Sequence, residues 1–174
     1  VANLDFDDHD LDDDDNPVED TYLTFAVGAE EYAIPVLHVT EIVRLQKVFA
    51  VPDVERHVRG VINLRGKVIP LLDVRARFGL AETLYSDRTV IVVIELGGTP
   101  TGLLVDAVFD ITEILPGSIE PAPAIASSSN LVVGMSKRGE KVSFVLDVER
   151  LLGRAPEAEA AIAAPRHETH APKN

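Results

Sequence analysis

The segment Val58–Leu80, VRGVINLRGKVIPLLDVRARFGL, constrains the fold of this chain more than any other. Two apolar, β-branched runs flank Arg65-Gly66, where glycine supplies the positive φ that a tight hairpin turn needs. An amphipathic helical segment follows and stops at Gly79. A looser copy returns at Gly134–Gly153, GMSKRGEKVSFVLDVERLLG. Both copies place Arg-Gly before a β-branched run, then Leu-Asp-Val, then a short helix ended by glycine. The likeness continues upstream. Tyr32–Val43 aligns without gaps on Thr101–Thr112, which puts Val39, Glu41 and Ile42 on Val108, Asp110 and Ile111. An alternating strand precedes each copy, Tyr22–Val27 in one and Thr89–Leu96 in the other. We read an internal duplication, with lobes at roughly residues 21–80 and 88–153. The second half carries an insertion near Pro116–Asn130 whose Pro, Ala and Ser content predicts a loop.

Period-two alternation dominates, which predicts an all-β chain with short helices. Hairpins are expected around Gly28–Glu30, Arg65-Gly66, Glu95–Gly102 and Met135–Val142. Many short strands without long crossover helices point to barrels or a sandwich. Pro70 cannot donate to a sheet ladder, so it belongs at a strand edge or a bulge. Val36–Val43 is the exception: Val36, Val39, Ile42 and Val43 recur at helical spacing, predicting a helical turn with Glu41 outward and Pro35 in its first turn.

Charge separates the tails from the middle. The chain has 174 residues and a formal net charge of −13, but residues 1–20 alone hold nine Asp and one Glu with no Lys or Arg. Such a run repels itself and lacks apolar surface to offset ordering entropy, so it is expected to be a disordered acidic tail. Residues 154–174, rich in Ala and Pro, are expected to be a flexible tail as well. Arg44–Arg77 runs the other way, with eight Lys or Arg against Asp53, Glu55 and Asp73. That basic face suits an acidic partner, and the acidic tail is expected to compete for it. Nucleic acid is not the expected partner, because the chain is acidic overall and has neither Trp nor zinc-finger spacing.

Chemistry-bearing motifs are scarce. The chain has no Cys, which excludes disulfides, thiolate metal sites and cysteine nucleophiles. His9, His38, His57, His167 and His170 show no metal-binding spacing, and neither a phosphate-binding loop nor a nucleophile elbow occurs. No catalytic residue, cofactor or metal is therefore expected. Without a membrane-length apolar run or a secretory leader, the expected compartment is the cytoplasm, with no direct membrane insertion. Asp73 and Asp147 occupy equivalent Leu-Asp-Val positions and read as helix N-caps; an acid/base pair in a β-barrel enzyme is the remote alternative. Glu41 and Arg65 lie in one half and are expected to approach each other, either as a positioning contact or as an exposed ion pair.

With Val39–Ile42 and the G-x-x-N-L-R-G-x-x-x-P-x-x-D pattern of Gly60–Asp73, the chain resembles the CheW family of bacterial chemotaxis adaptors over residues 21–153. The resemblance implies two intertwined five-stranded SH3-like barrels and no catalysis. It implies binding to the cytoplasmic tip of chemoreceptors and to the regulatory domain of the histidine kinase CheA. Val39, Glu41, Asn63, Arg65 and Gly66 match family positions at the receptor groove. Ile62, Leu64, Val68 and Pro70, on the hairpin of the first barrel, are the implied kinase-binding residues. A CheW-like regulatory domain of a CheA-type kinase, or an adaptor of a non-flagellar chemosensory pathway, is the alternative reading.

Overall fold

The computed structural model describes residues 18–124 and 130–153. The Asp-rich run, the segment after Gly153, part of the insertion and His9, His167 and His170 lie outside the described residues. In chain order the strands are β1 (Thr21–Val27), β2 (Glu30–Pro35), β3 (Val39–Arg44), β4 (Val58–Leu64), β5 (Lys67–Asp73), β6 (Val90–Leu96), β7 (Thr99–Val105), β8 (Ala107–Glu113), β9 (Val132–Arg138) and β10 (Lys141–Leu146). Two one-turn helices, α1 (Val74–Arg77) and α2 (Val148–Leu151), follow β5 and β10.

Two five-stranded sheets result, ordered β8-β1-β2-β10-β9 and β3-β6-β7-β5-β4. Each takes strands from both halves of the repeat, so the lobes intertwine. Equivalent strands occupy equivalent places: β2 lies parallel to β10 in one sheet, and β7 parallel to β5 in the other. The all-β, SH3-like class is as expected, but the barrels are not closed. The ladders end at β8 and β9 and at β3 and β4. Each gap is crossed by one isolated bridge, Glu120 with Met135 and Phe49 with Val61. Among the described residues, backbone pairing across each gap is limited to that bridge, beside Gly134 and Gly60. A Cβ on Gly60 would sit 2.1 Å from the Phe49 carbonyl oxygen, and one on Gly134 would sit 2.8 Å from that of Glu120.

Alternation along the strands divides the core. Val92, Ile94, Leu72, Leu103 and Val105 join Leu23, Phe25, Ile34, Leu146 and Leu151 in the main cluster, which both sheets share. Their neighbours Ile91, Val93, Leu71 and Leu104 point the other way, with Ile62 and Ile69, into a second cluster. The matching interior of the other sheet is small, built on Ala33, Ile114 and Val145. Strands buried on both faces read as continuous apolar runs, as VIVVI in β6 does. Tyr32 joins the halves across the seam, its ring 4.8 Å from that of Phe78 and 6.0 Å from that of Phe144, centroid to centroid.

The structure revises three expectations. Val36–His38 is a 3₁₀ turn, but Val39–Arg44 is strand. Its β-branched Val39, Thr40, Ile42 and Val43 pair with β6, and pairing outweighs their helical spacing. The two Arg-Gly dipeptides are not equivalent. Leu64 pairs with Lys67 and Arg138 with Lys141, so the turns are Arg65-Gly66 and Gly139-Glu140, and Arg65 corresponds to Gly139. The insertion is not wholly loop: Pro116–Ser118 is a 3₁₀ turn, and Glu120 makes the bridge to β9. Pro70 sits inside β5, yet it precedes the parallel ladder to β7, which starts at Leu71, so its missing N–H is not needed on that side.

Candidate functional site

The β4–β5 hairpin tip gathers most of the residues singled out in the sequence. Its two-residue turn has positive φ at both positions, 51° at Arg65 and 83° at Gly66, as a hairpin turn of this length prefers. Glycine adopts that conformation freely, whereas a side chain there costs about 1–2 kcal/mol. The equivalent turn in the other sheet uses Gly139 at φ 62°. The Gly66 N–H donates to Asn63 Oδ1 at 2.9 Å, which ties the turn back on its own strand. From this tip the Arg65 guanidinium reaches across to β3 and donates through Nη2 to both carboxylate oxygens of Glu41.

This pair does not exist for stability. The Arg65 side chain is 72% exposed, and an ion pair in such a setting contributes only about 0–1 kcal/mol. Its effect is positional: it fixes a charged fork on a rigid turn, with one carboxylate beneath it. Exposed apolar side chains lie along the same elements, Ile42 on β3 and Val68 on β5, with Phe49 at the bridge to β4. Val39, at the start of β3, packs half-buried against the main core. The structure thus joins Glu41, Asn63, Arg65 and Gly66, and holds Val39 two residues from Glu41 as part of the packed support.

The residues expected to bind the kinase divide by exposure. Ile62 is fully buried in the second cluster and offers no surface, because inward residues of β4 fill that interior. Leu64 is half-buried against the same cluster, whereas Val68 and Pro70 are exposed. Pro70 also lines a cleft of about 510 Å³ with His57, Arg77, Thr101 and Leu152.

Asp73 and Asp147 are caps. Asp73 Oδ1 accepts from the Ala76 N–H at 3.3 Å, and Asp147 Oδ1 from the Arg150 N–H at 3.2 Å. Asp73 is buried and also accepts from Arg59 Nε at 2.7 Å, while Arg59 Nη1 donates to Glu82 at 2.9 Å. The Asp73 hydrogen bond, aided by Glu82, holds the Arg59 guanidinium protonated above its usual range against the lowering effect of burial. Among the described residues no three His, Asp or Glu side chains come together as metal ligands.

Three contacts were missed by sequence reasoning. Arg75 Nη1 donates to Asp106 Oδ2 at 2.8 Å, and that oxygen also accepts the Gly28 N–H at 2.7 Å. Arg77 donates to the carbonyl oxygens of Leu151 at 3.1 Å and Arg150 at 3.0 Å, bracing α1 on α2. Gly60 and Gly134 mark the points of close approach. A signal for the glycines was present, because each stands thirteen residues before its capping aspartate; the arginine contacts are long-range and had none.

The family model of the CheW-like domain matches residues 21–155. The chain belongs to this family. The chemotaxis protein CheW of Klebsiella aerogenes is 33% identical over 133 residues, covering 75% of this chain and 80% of that protein. The CheW of Helicobacter pylori is 33% identical over 140 residues, covering 80% and 85%. A crystal structure of the scaffolding protein CheW from Thermoanaerobacter tengcongensis superposes with a TM-score of 0.70 at 30% identity, covering 79% of this chain and 90% of that one. The intertwined sheets are therefore those of a CheW-like domain.

Proposed function

We propose that this chain is a non-enzymatic chemotaxis adaptor that couples the cytoplasmic tip of chemoreceptors to the histidine kinase CheA. The observation that carries this reading is the extent of the match. Relatives named as chemotaxis protein CheW, and a structure titled as a scaffolding protein, are each covered over four-fifths or more of their own length. No described helix is long and apolar enough to cross a membrane, and an adaptor of this kind works at receptor arrays from the cytoplasmic side.

The receptor-binding surface in this reading is the β4–β5 tip with β3: Arg65, Glu41, Asn63 and Gly66, supported by Val39. A receptor helix would lay apolar anchors over the exposed side chains, with the Arg65 fork setting register more than affinity. Support comes from the αL arginine, since this chain keeps a costly side chain where its own second copy uses glycine. The kinase regulatory domain would meet Val68, Pro70 and the exposed part of Leu64, with Ile62 acting only from beneath. Titration of a receptor-tip fragment and of a CheA regulatory domain tests both surfaces. Arg65→Ala and Glu41→Gln should weaken receptor binding about tenfold or more and leave kinase binding near wild type; wild-type protein that retains neither partner would defeat the reading.

A further inference from the structure

Strand alternation carries one face of β5 and one face of β7 past the end of the main core. Pro70 stands two residues before Leu72, and Thr101 two before Leu103, so each extends a row whose next member is buried in that core. Both rows reach the cleft of about 510 Å³, which Leu152 and Gly153, just past α2, also line. Its volume falls within the range of about 300–1,000 Å³ typical of sites that enclose small organic molecules. Both halves of the repeat build it, since β5 and α1 belong to one and β7 and α2 to the other.

Two polar groups in this cleft are not accounted for by folding. Thr101 is only 5% exposed, yet its hydroxyl makes no hydrogen bond among the described residues. No described side-chain polar atom is sealed from solvent without a partner, so the hydroxyl opens on the cleft that Thr101 lines. A valine would continue the row of Leu103 and Val105 without a hydroxyl to desolvate. Arg77 is the second group. Its Nε and Nη2 brace α2 by donating to the carbonyl oxygens of Leu151 and Arg150, while Nη1 has no partner among the described residues. Its neighbour on α1, Arg75, is neutralised by Asp106, but no described carboxylate neutralises Arg77. The acid of the cleft, Glu55, is engaged by His57 Nε2 at 3.0 Å instead.

We propose that this cleft binds a small organic monocarboxylate with an apolar body. The carboxylate accepts from Arg77 Nη1 and from the Thr101 hydroxyl, and the body lies against Pro70, Leu72 and Leu152. A single unmatched guanidinium suits one negative charge, and the Glu55 carboxylate repels a second, which disfavours phosphate. The two polar groups orient the ligand and the apolar walls supply most of the contact. Because the walls come from both halves and form only in the folded chain, occupancy raises the unfolding temperature. The site does not depend on the adaptor reading, although Pro70 serves both surfaces.

Benzoate is the first probe, with benzamide as its uncharged counterpart, acetate as a carboxylate without an apolar body, and inorganic phosphate as the more highly charged anion. Titrated into the full chain, benzoate should shift the amide signals of His57, Thr101 and Gly153 saturably, with a Kd of about 1 mM. Benzamide, acetate and phosphate should each bind about tenfold more weakly or less. Thr101→Val keeps the side-chain shape and should weaken benzoate by about tenfold, and Thr101→Ser should restore it. Arg77→Gln should abolish the preference for benzoate over benzamide, a ratio that a loosened α2 alone would not change. No saturable shift at about 10 mM benzoate, equal binding of benzamide, tighter binding of phosphate, or shifts centred on the Arg65 turn would overturn the proposal. So would a Thr101→Val variant that binds benzoate as wild type does.

Discussion

Gly60 and Phe49 meet where the first sheet would otherwise remain open: the Phe49 N–H donates to the Val61 carbonyl at 2.8 Å and the Val61 N–H donates back at 2.9 Å, with Gly60 packed under the Phe49 carbonyl. Gly60 has φ 141°, so a side chain there is strained as well as crowded. Gly60→Ala should destabilise the chain by at least about 2 kcal/mol, combining backbone strain of about 1–3 kcal/mol with overpacking of similar size. Gly134→Ala meets Ile119 Cγ2 at 2.5 Å without a positive φ, and should cost less. Urea unfolding midpoints at constant m-value would rank the two; equal midpoints would contradict the difference.

The two capping aspartates should separate as clearly. Asp147→Ala removes one cap, at a cost of about 0.5–2 kcal/mol. Asp73→Ala removes the cap and also strips a part-buried Arg59 of its nearer partner, adding about 1–3 kcal/mol for the unsatisfied group. Thermal unfolding of each variant and of the Arg59→Ala, Asp73→Ala double variant would show the coupling. Strict additivity would mean that the Arg59 contact contributes nothing.

Tyr32 is held against ionisation by burial in the seam and, secondarily, by Glu30; Tyr22 is raised likewise by burial and by Asp20. A pKa raised in the folded state favours the neutral phenol there. The unfolded chain therefore releases this proton first, near pH 10.0. Stability should be undiminished by these groups below pH 10.0 and fall as pH rises toward their folded pKa values. Tyr32→Phe should flatten that alkaline decline, followed by unfolding midpoints alongside phenolate absorbance. An unchanged slope would remove Tyr32 from the account.

Arg65→Gly should dissociate folding from binding. Relief of the left-handed conformation contributes up to about 1–2 kcal/mol, and loss of the exposed pair with Glu41 costs about 0–1 kcal/mol, so stability should hold or rise. Receptor-tip affinity should nevertheless fall about tenfold or more. A variant that binds as wild type would return Arg65 to a structural role.

Local chemistry was legible in the sequence wherever neighbours decided the outcome. The hairpin at Arg65-Gly66, the caps at Asp73 and Asp147 and the meeting of Glu41 with Arg65 each depend on short spacings or on one half of the repeat. The reading failed where a distant strand decided. Val39–Arg44 has helical spacing, and only β6, some fifty residues later in the chain, makes it a strand. The offset between the two Arg-Gly turns is invisible to alignment by residue type, because Arg138 imitates Arg65 in sequence while its pairing with Lys141 puts it in the strand. Ile62 enters the kinase-facing set through the family resemblance alone, and alternate residues of its hairpin, Ile62 among them, fill an interior.

The exchange of strands between the halves makes each sheet depend on both of them. β1 and β2 of one half sit with β8, β9 and β10 of the other, and the reciprocal set completes the second sheet. A chain of one half alone would have no complete sheet, and could build two only by trading hairpins with an identical copy about a two-fold axis. The present chain has the arrangement of such an exchanged pair within a single polypeptide. Because one chain supplies both halves, the two tips need not be identical: one carries an arginine at positive φ where the other has a glycine.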